Sequence, residues 1–189
     1  MSEFQPPVII PAAAIADRVD ELARRISHDH AAVEDLLMVG VLRGSYMFLA
    51  DLTRRLSVPC SVDFISLTEY DRGSLPAGSV RLAMDLRVNI KGRHVVLVED
   101  IVSSGCTLAY LVKAFDLREP ASVRTCVLAR KRGHEHLAVR LDYVGFEIPD
   151  RWVVGYGLDY DNKYRAFPYI GVVHAPDTEI DAEPLRQTP

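Results

Sequence analysis

The segment from Val95 to Leu108 constrains the fold more than any other part of the chain. It begins with an apolar run, Val95–Val98, of the kind found in a buried strand. Glu99 and Asp100 follow where this strand is expected to end, and a small polar loop then leads into the apolar start of a helix. A strand, a small-residue loop and a helix N-terminus together form a phosphate cradle, because backbone N–H groups and the helix dipole attract an anion.

The acids beside this loop indicate which kind of phosphate compound would bind. Carboxylates repel a phosphate unless they hold sugar hydroxyls or a divalent metal on the same ligand, and their oxygens suit both partners. A sugar phosphate is therefore the first ligand hypothesis. Simpler explanations exist, since acids after a strand are often solvated and a serine before a helix often only caps it. The loop, however, offers three hydroxyls around one glycine, whereas a cap needs a single hydroxyl.

The rest of the chain alternates apolar runs of strand length with helical segments. This alternation predicts an α/β fold with a central, mainly parallel sheet flanked by helices. Ligands of such sheets bind at the carboxyl ends of the strands. Residues 69–79, which are rich in turn-forming residues, are predicted to form a long loop. The predicted helices are 12–27, 44–56 and 108–117, and the predicted strands are 36–42, 62–67, 80–86, 95–98 and 122–129.

Composition and charge argue against several classes of protein. A chain of 189 residues is long enough for one domain with a full core. The net charge of -4 argues against a nucleic-acid-binding protein, since such proteins usually carry a basic excess. No apolar stretch reaches the roughly 18 residues of a membrane helix, and the first residues lack the pattern of a secretory signal. The odd set of Cys60, Cys106 and Cys126 is most simply interpreted as that of a reduced, cytoplasmic protein.

The segment Glu99–Thr107 resembles the phosphoribosyl pyrophosphate motif of type I phosphoribosyltransferases. Over residues 36–173 the chain resembles the hypoxanthine-guanine branch of that family, with the same order of motifs and closely matching spacing. The resemblance implies the type I phosphoribosyltransferase fold in a single domain, 1–189, with a core of about 36–140. A small hood would consist of the N-terminal helix and residues of about 142–175. The matching motifs are Val41–Tyr46, Glu99–Thr107, Lys131, Val144–Asp150 and Val153–Tyr160.

The resemblance also implies a role in purine salvage. Such enzymes use Mg2+ to transfer phosphoribose from phosphoribosyl pyrophosphate to N9 of hypoxanthine or guanine, which gives IMP or GMP and pyrophosphate. They are homodimers or homotetramers, and no nucleic-acid or membrane partner is expected. Glu99 and Asp100 would bind the ribose hydroxyls or the metal in catalysis, and Asp159 would be a further metal ligand. The residues expected around the 5′-phosphate are Ser104, Gly105, Cys106 and Thr107.

Three residues are expected to bind the purine. Lys131 matches a lysine that donates to the 6-oxo group, and an ammonium, which only donates, would reject the amino group of adenine. Trp152 matches an aromatic residue that stacks on the base, and Val153 would present its backbone to the purine edge. On the residues alone, Lys131 also fits a solvated basic run and Trp152 a core residue.

The pyrophosphate is expected to meet residues from separate parts of the chain. Arg43 and Gly44 resemble a short loop that often holds a cis peptide bond in relatives. Arg165 matches an arginine that contacts pyrophosphate in catalysis, where a planar guanidinium fits phosphate oxygens, although a plain surface arginine is the alternative. Tyr70 would begin the catalytic lid over the site.

Ser103 is the main departure from the family pattern. The purine branch commonly carries an aspartate here, thought to be the general base on N7 of the purine, and serine has no useful basicity near neutral pH. Water or another acid could take the proton, the base could matter little, or the activity could be lost. The alternatives are therefore a catalytically weak or regulatory nucleotide-binding protein, or a transferase for another base such as xanthine. Glu69 is a second departure, with no assigned role.

Overall fold

Strands and helices alternate along the chain much as the apolar pattern predicts. The computed structural model describes residues 5–69, 80–133 and 137–173. The helices are α1 (Ala12–Asp29), α2 (Tyr46–Thr53) and α3 (Cys106–Asp116). The strands are β1 (Val8–Ile10), β2 (Leu36–Leu42), β3 (Cys60–Glu69), β4 (Val80–Met84), β5 (His94–Val102), β6 (Ser122–Lys131), β7 (Tyr143–Ile148), β8 (Trp152–Val154) and β9 (Ile170–Val173).

The main sheet has six strands in the order β4-β3-β2-β5-β6-β7. Strands β3, β2, β5, β6 and β7 pair in parallel, and β4 pairs antiparallel with β3 at one edge. The central strands β2 and β5 are apolar and buried over most of their length, as expected for strands that are covered on both faces. The prediction of an α/β fold with a central, mainly parallel sheet is confirmed.

Alternate residues of the central strands face two separate cores. On β5, Val96 and Val98 join the core under α1 and α2, whereas Val95 and Leu97 join the core under α3. Helix α1 is amphipathic, and no helix in the described ranges is long and apolar enough to cross a membrane. Four apolar α1 side chains that are spaced for one face of a helix are all buried: Ile15, Val19, Leu22 and Ile26.

A second, three-stranded sheet has the order β1-β9-β8, and β8 and β9 fall within the segment 142–175 that was expected to form part of the hood. Strands β1 and β8 each pair antiparallel with β9. Two parts of the expected hood lie elsewhere. Strand β7 belongs to the main sheet, because it pairs with β6 and buries Tyr143 and Ile148 there. Helix α1 packs against α2 and β7, so it covers the main sheet.

The parallel strands β2, β5 and β6 end at the same edge of the main sheet. Arg43 follows β2, Ser103 follows β5, and Lys131 is the last residue of β6. The carboxyl edge therefore gathers residues from all three predicted subsites. Of the loop predicted at 69–79, only Glu69 is described, and it ends β3.

Candidate active site

Glu99 and Asp100 lie inside strand β5 and not in the loop that follows it. The strand continues to Val102, because β6 pairs with it along this whole stretch. Each of the two acids is only 9% exposed. The prediction that the strand ends at Val98 is therefore wrong, and the two acids are not solvated loop residues.

The two buried carboxyl groups are not readily ionised together. Burial, with the negative charge of Asp100, raises the pKa of Glu99 well above its ordinary value. Burial also raises the pKa of Asp100, against the opposing effects of a hydrogen bond with Glu99, the Ile101 N–H and the charge of Arg165. Glu99 Oε2 is buried and has no hydrogen-bond partner among the described residues. Such an acceptor costs free energy, so a ligand with hydroxyl donors or a cation would relieve it.

The loop after β2 approaches Asp100 so closely that it leaves no room for a side chain at residue 44. A Cβ atom on Gly44 would lie 1.5 Å from Asp100 Oδ2. The peptide bond between Leu42 and Arg43 is cis, as the resemblance implies for this loop. Gly157 approaches the same loop, and its Cβ would lie 2.0 Å from the carbonyl oxygen of Gly44. Three distant parts of the chain thus meet at Gly44.

A small cavity of about 90 Å3 lies at the N-terminus of α3 and is lined by Glu99 and residues 103–108. Gly105 is the N-cap residue, with a φ of 74° that favours glycine, and no side chain caps the helix from that position. The Cys106 N–H donates to Ser104 Oγ at a long 3.5 Å. The first N–H groups of a helix have no intrahelical acceptor, so an anion in this cavity would meet hydrogen-bond donors.

Ser103 also lines a larger cavity of about 220 Å3, together with Lys131, Trp152 and Val153. Lys131 Nζ lies 2.9 Å from Asp150 Oδ1 and 5.8 Å from the centre of the Trp152 ring. Trp152 is 58% exposed, which excludes the core-residue alternative. A cation beside an exposed aromatic face suits a flat base that carries an oxo group.

Arg165 and Asp159 form an ion pair next to this cavity. Arg165 Nη2 lies 2.7 Å from Asp159 Oδ1, and Nη1 donates to the carbonyl of Gly157 at 2.7 Å. The Arg165 side chain is 19% exposed, so it is not a plain surface arginine. Asp159 lines the same cavity as Asp100. The residues expected to contact pyrophosphate and metal therefore lie side by side.

A metal ion would need ligands beyond the protein at this site. Within 5–69, 80–133 and 137–173, no three His, Cys, Asp or Glu side chains gather closely enough to hold a metal ion. The expected set of Glu99, Asp100 and Asp159 is thus not a preformed metal centre. Mg2+ commonly keeps several waters and binds through one or two carboxylates plus substrate phosphates. The buried pair of acids, with its unpaired Glu99 oxygen, fits that mode of binding.

Most predicted site residues therefore converge at the carboxyl edge of the sheet. The residues predicted to bind the 5′-phosphate line one cavity and those predicted to bind the purine line the other, while Arg43 and Gly44 lie beside Asp100. Tyr70, with the lid it was predicted to begin, lies outside the described residues.

Two contributions to the site were missed from the sequence. Asp150, which pairs with Lys131, belongs to a motif that matched the family, so its position was a usable signal. The segment 137–139 packs over the phosphate loop: Ala138 N–H donates to Ser104 O at 3.4 Å, and Val139 would lie 3.2 Å from a Cβ on Gly105. No motif marks this segment, so only the fold reveals it.

Comparisons with known proteins agree with this geometry. Residues 9–161 match the family described as phosphoribosyl transferase domain. Hypoxanthine phosphoribosyltransferase of Salmonella typhimurium is 42% identical over 167 residues, which cover 88% of this chain and 94% of that protein.

Two solved structures are similar as well. A hypoxanthine-guanine phosphoribosyltransferase of Bacillus anthracis matches with a TM-score of 0.83 and 38% identity, over 88% of this chain and 98% of that one. Hypoxanthine phosphoribosyltransferase of Trypanosoma cruzi, in complex with the product IMP, matches with a TM-score of 0.84 and 39% identity, over 92% and 97%. The chain therefore belongs to the phosphoribosyl transferase domain family, in its hypoxanthine-guanine branch.

Proposed function

We propose that this chain is a purine salvage phosphoribosyltransferase that converts hypoxanthine or guanine and phosphoribosyl pyrophosphate into IMP or GMP and pyrophosphate. The observation that carries the proposal is the pair of cavities that share Ser103. One is lined by a helix N-terminus and hydroxyls, and the other by a cation and an exposed aromatic ring. Glu99 lines the first and Asp100 the second, so the acids lie where a ribose would join a phosphate to a base.

The donor would occupy the first cavity and the adjoining carboxyl edge. Ser104, Thr107 and the N–H groups that begin α3 would bind the 5′-phosphate. Glu99 and Asp100 would bind the ribose hydroxyls, which would supply the donors that Glu99 Oε2 lacks. The pyrophosphate would lie beside Arg43, Gly44 and Arg165, and a guanidinium matches the oxygens of a phosphate.

Magnesium fits this arrangement as a partner of the donor. Glu99, Asp100 and Asp159 would face the ion directly or through the sugar hydroxyls and water. The ion would supply charge neutralisation on the pyrophosphate leaving group.

The base would occupy the second cavity. Trp152 would stack on the purine, an interaction worth about 1–3 kcal/mol for exposed aromatic residues. Lys131, held by Asp150, would donate to the 6-oxo oxygen, and Val153 would offer backbone groups to the purine edge. N9 would then attack the anomeric carbon as pyrophosphate leaves through an oxocarbenium-like state. The T. cruzi relative was solved with the product of this reaction, IMP.

Catalysis in this chain would depend on positioning rather than on a protein base at residue 103. The Ser103 hydroxyl cannot accept the N7 proton as a carboxylate would, so the proton would pass to water. Alignment of two bound substrates can lower a barrier by about 7–11 kcal/mol, so turnover without that base is physically reasonable.

The test is nucleotide formation from phosphoribosyl pyrophosphate and Mg2+ with each of hypoxanthine, guanine, xanthine, adenine and uracil. Turnover with hypoxanthine or guanine, and little with adenine, is expected. The Lys131→Met variant should lose the preference for 6-oxopurines over adenine, because it removes the donor. Tight nucleotide binding without turnover of any base would favour a regulatory protein, and turnover with xanthine alone would favour the other transferase.

A cytoplasmic location and a homodimer or homotetramer are further parts of the proposal. The oligomeric state follows from the resemblance to the family, and the location follows from that resemblance together with the free cysteines. Sedimentation equilibrium of the purified chain would decide the oligomeric state.

A further inference from the structure

Tyr156 connects helix α2 to the turn that carries Asp159. The Tyr156 hydroxyl donates to Asp51 Oδ2 at 2.6 Å; Tyr156 is buried, and the Asp51 side chain is 25% exposed. Asp51 lies on α2 and also pairs with Arg54. Burial opposes ionisation of Asp51, yet the Tyr156 hydroxyl and Arg54 lower the pKa of Asp51 below its ordinary value. The acceptor is therefore charged near neutral pH, and hydrogen bonds to a charged group are the stronger kind.

Helix α2 begins where the loop of Arg43 and Gly44, the predicted pyrophosphate loop, ends. Arg43 and Gly44 precede Ser45, which is the N-cap residue of α2 and donates from Oγ to Val41 O at 2.6 Å. The turn that follows Tyr156 touches the same loop, since a Cβ on Gly157 would lie 2.0 Å from Gly44 O. The Asp51 hydrogen bond therefore closes a ring of contacts between the loop, the helix and the turn.

The backbone around Tyr156 also sets the place of Arg165. Tyr156 N–H donates to Phe167 O at 2.7 Å, and Gly157 N–H donates to Arg165 O at 3.0 Å. The guanidinium of Arg165 donates in turn to Gly157 O at 2.7 Å and forms an ion pair with Asp159. A displacement of the turn would therefore move both side chains that are expected to face pyrophosphate and its metal.

We infer that Tyr156 and Asp51 are positioning residues that hold the 155–159 turn against the pyrophosphate loop and thereby set the affinity for the phosphoribosyl pyrophosphate donor. The inference rests on the proposed function. Asp159 of the turn also lines the base cavity, but the three residues expected to bind the purine are held elsewhere, because Lys131 ends β6 while Trp152 and Val153 pair with β9. Loss of the hydrogen bond should consequently weaken the donor site more than the base site.

Tyr143 offers a matched control for Tyr156. It is also a buried tyrosine whose hydroxyl donates to an aspartate, Asp29 Oδ2, at 2.8 Å. It begins β7, at the edge of the sheet opposite to the carboxyl ends of the strands. Tyr156→Phe and Tyr143→Phe therefore remove the same chemical group, but only Tyr156 lies close to the candidate active site.

The experiment measures kcat, the KM for each substrate and direct binding of phosphoribosyl pyrophosphate with Mg2+ by calorimetry. Tyr156→Phe is expected to raise the donor KM by about fivefold or more, because a displaced turn would move Asp159 and Arg165 out of alignment with the donor. The base KM should stay within about twofold of wild type. Tyr143→Phe should leave both KM values unchanged. Asp51→Asn, which keeps an acceptor oxygen, should retain more donor affinity than Asp51→Leu.

Three results would overturn the inference. They are an unchanged donor KM in Tyr156→Phe, an equal rise in both KM values, and equal donor affinities in Asp51→Asn and Asp51→Leu. The two Asp51 variants keep the test decisive if Tyr156→Phe does not fold. If the wild-type chain itself neither binds the donor nor forms nucleotide, the proposed function fails, and the inference falls with it.

Discussion

Asp100 Oδ2 occupies the space in which a side chain on residue 44 would lie. A Cβ atom on Gly44 would approach this oxygen to 1.5 Å, far inside any permitted contact. The backbone of Asp100 cannot retreat easily, because β5 lies between β2 and β6 in the middle of the main sheet. The loop is also enclosed by Gly157. Any side chain at position 44 must therefore displace the pyrophosphate loop or the Asp100 carboxyl group.

Gly44→Ala is accordingly predicted to lower kcat/KM by about 100-fold or more, because small displacements of aligned groups have effects of this size. It should also destabilise the fold by about 1–3 kcal/mol through overpacking. Steady-state kinetics and chemical denaturation measure the two effects. Gly92→Ala is the control, since Gly92 has a φ of +71° but no atom within 4 Å of its Cβ position. That variant should lose stability with kcat/KM unchanged, and a Gly44→Ala enzyme of wild-type activity would contradict the argument.

The sequence predicted the sheet well and the electrostatics of the site poorly. Apolar runs marked β2 at its observed bounds, Leu36–Leu42, because a strand covered on both faces needs continuous apolar residues. The same rule placed the end of β5 too early, at Val98, since Glu99 and Asp100 are polar residues in a buried strand. Buried acids at a site are the expected place for such a failure, because function rather than packing selects them. The contact between Gly44 and Asp100 depends on the fold and has no local signal.

The raised pKa of Glu99 predicts that the free energy of unfolding depends on pH. Burial and the charge of Asp100 raise the pKa of Glu99 in the folded chain, so the folded state binds more protons than the unfolded chain above the ordinary pKa of glutamate. The contribution of Glu99 to the free energy of unfolding is therefore fully present below that pKa and is lost as pH rises through the folded pKa. Each unit of elevation corresponds to about 1.4 kcal/mol.

Glu99→Gln should remove this pH-dependent loss of stability, because glutamine does not ionise. The free energy of unfolding of the variant is therefore expected to rise relative to that of wild type as pH increases from 4 to 8. Donor binding should be weakened. Denaturant unfolding at several pH values measures the difference. Asp85→Asn serves as a control of opposite sign, because hydrogen bonds from Arg118 lower the pKa of Asp85. That contribution is present above the ordinary pKa of aspartate and is lost in acid. A difference between Glu99→Gln and wild type that does not vary with pH would refute the assignment.

Ser103→Asp is predicted to raise kcat by about tenfold or more, because it would place a general base beside the purine cavity. The KM for the donor should rise less than in Ser104→Asp, since Ser103 also lines the purine cavity whereas Ser104 lines only the phosphate cavity. Ser104→Asp is the matched control: it adds the same charge within the phosphate loop and should weaken donor binding by repulsion. If Ser103→Asp brings no gain in turnover, proton transfer does not limit the reaction or is handled by another group.

Cys106 gives a direct test of where the 5′-phosphate binds. It is exposed at the start of α3, whereas Cys60 is partly buried and Cys126 is buried, and burial raises the pKa of both of these thiols. N-ethylmaleimide is expected to modify Cys106 first, with loss of activity in parallel, because the adduct fills a cavity of about 90 Å3. Mass spectrometry of peptides, taken at intervals together with activity, would follow both events.

Protection by ligands shows which subsite the Cys106 thiol lies in. Phosphoribosyl pyrophosphate with Mg2+ at ten times its Kd should slow the modification of Cys106 by about tenfold, as mass action requires for a shared site. Hypoxanthine alone should not protect, since its cavity is lined by Lys131 and Trp152 and not by Cys106. The activity of Cys106→Ser should not fall when the reagent is added. Inactivation that instead follows the modification of Cys60, or that the donor fails to slow, would mean that the phosphate does not bind at the N-terminus of α3.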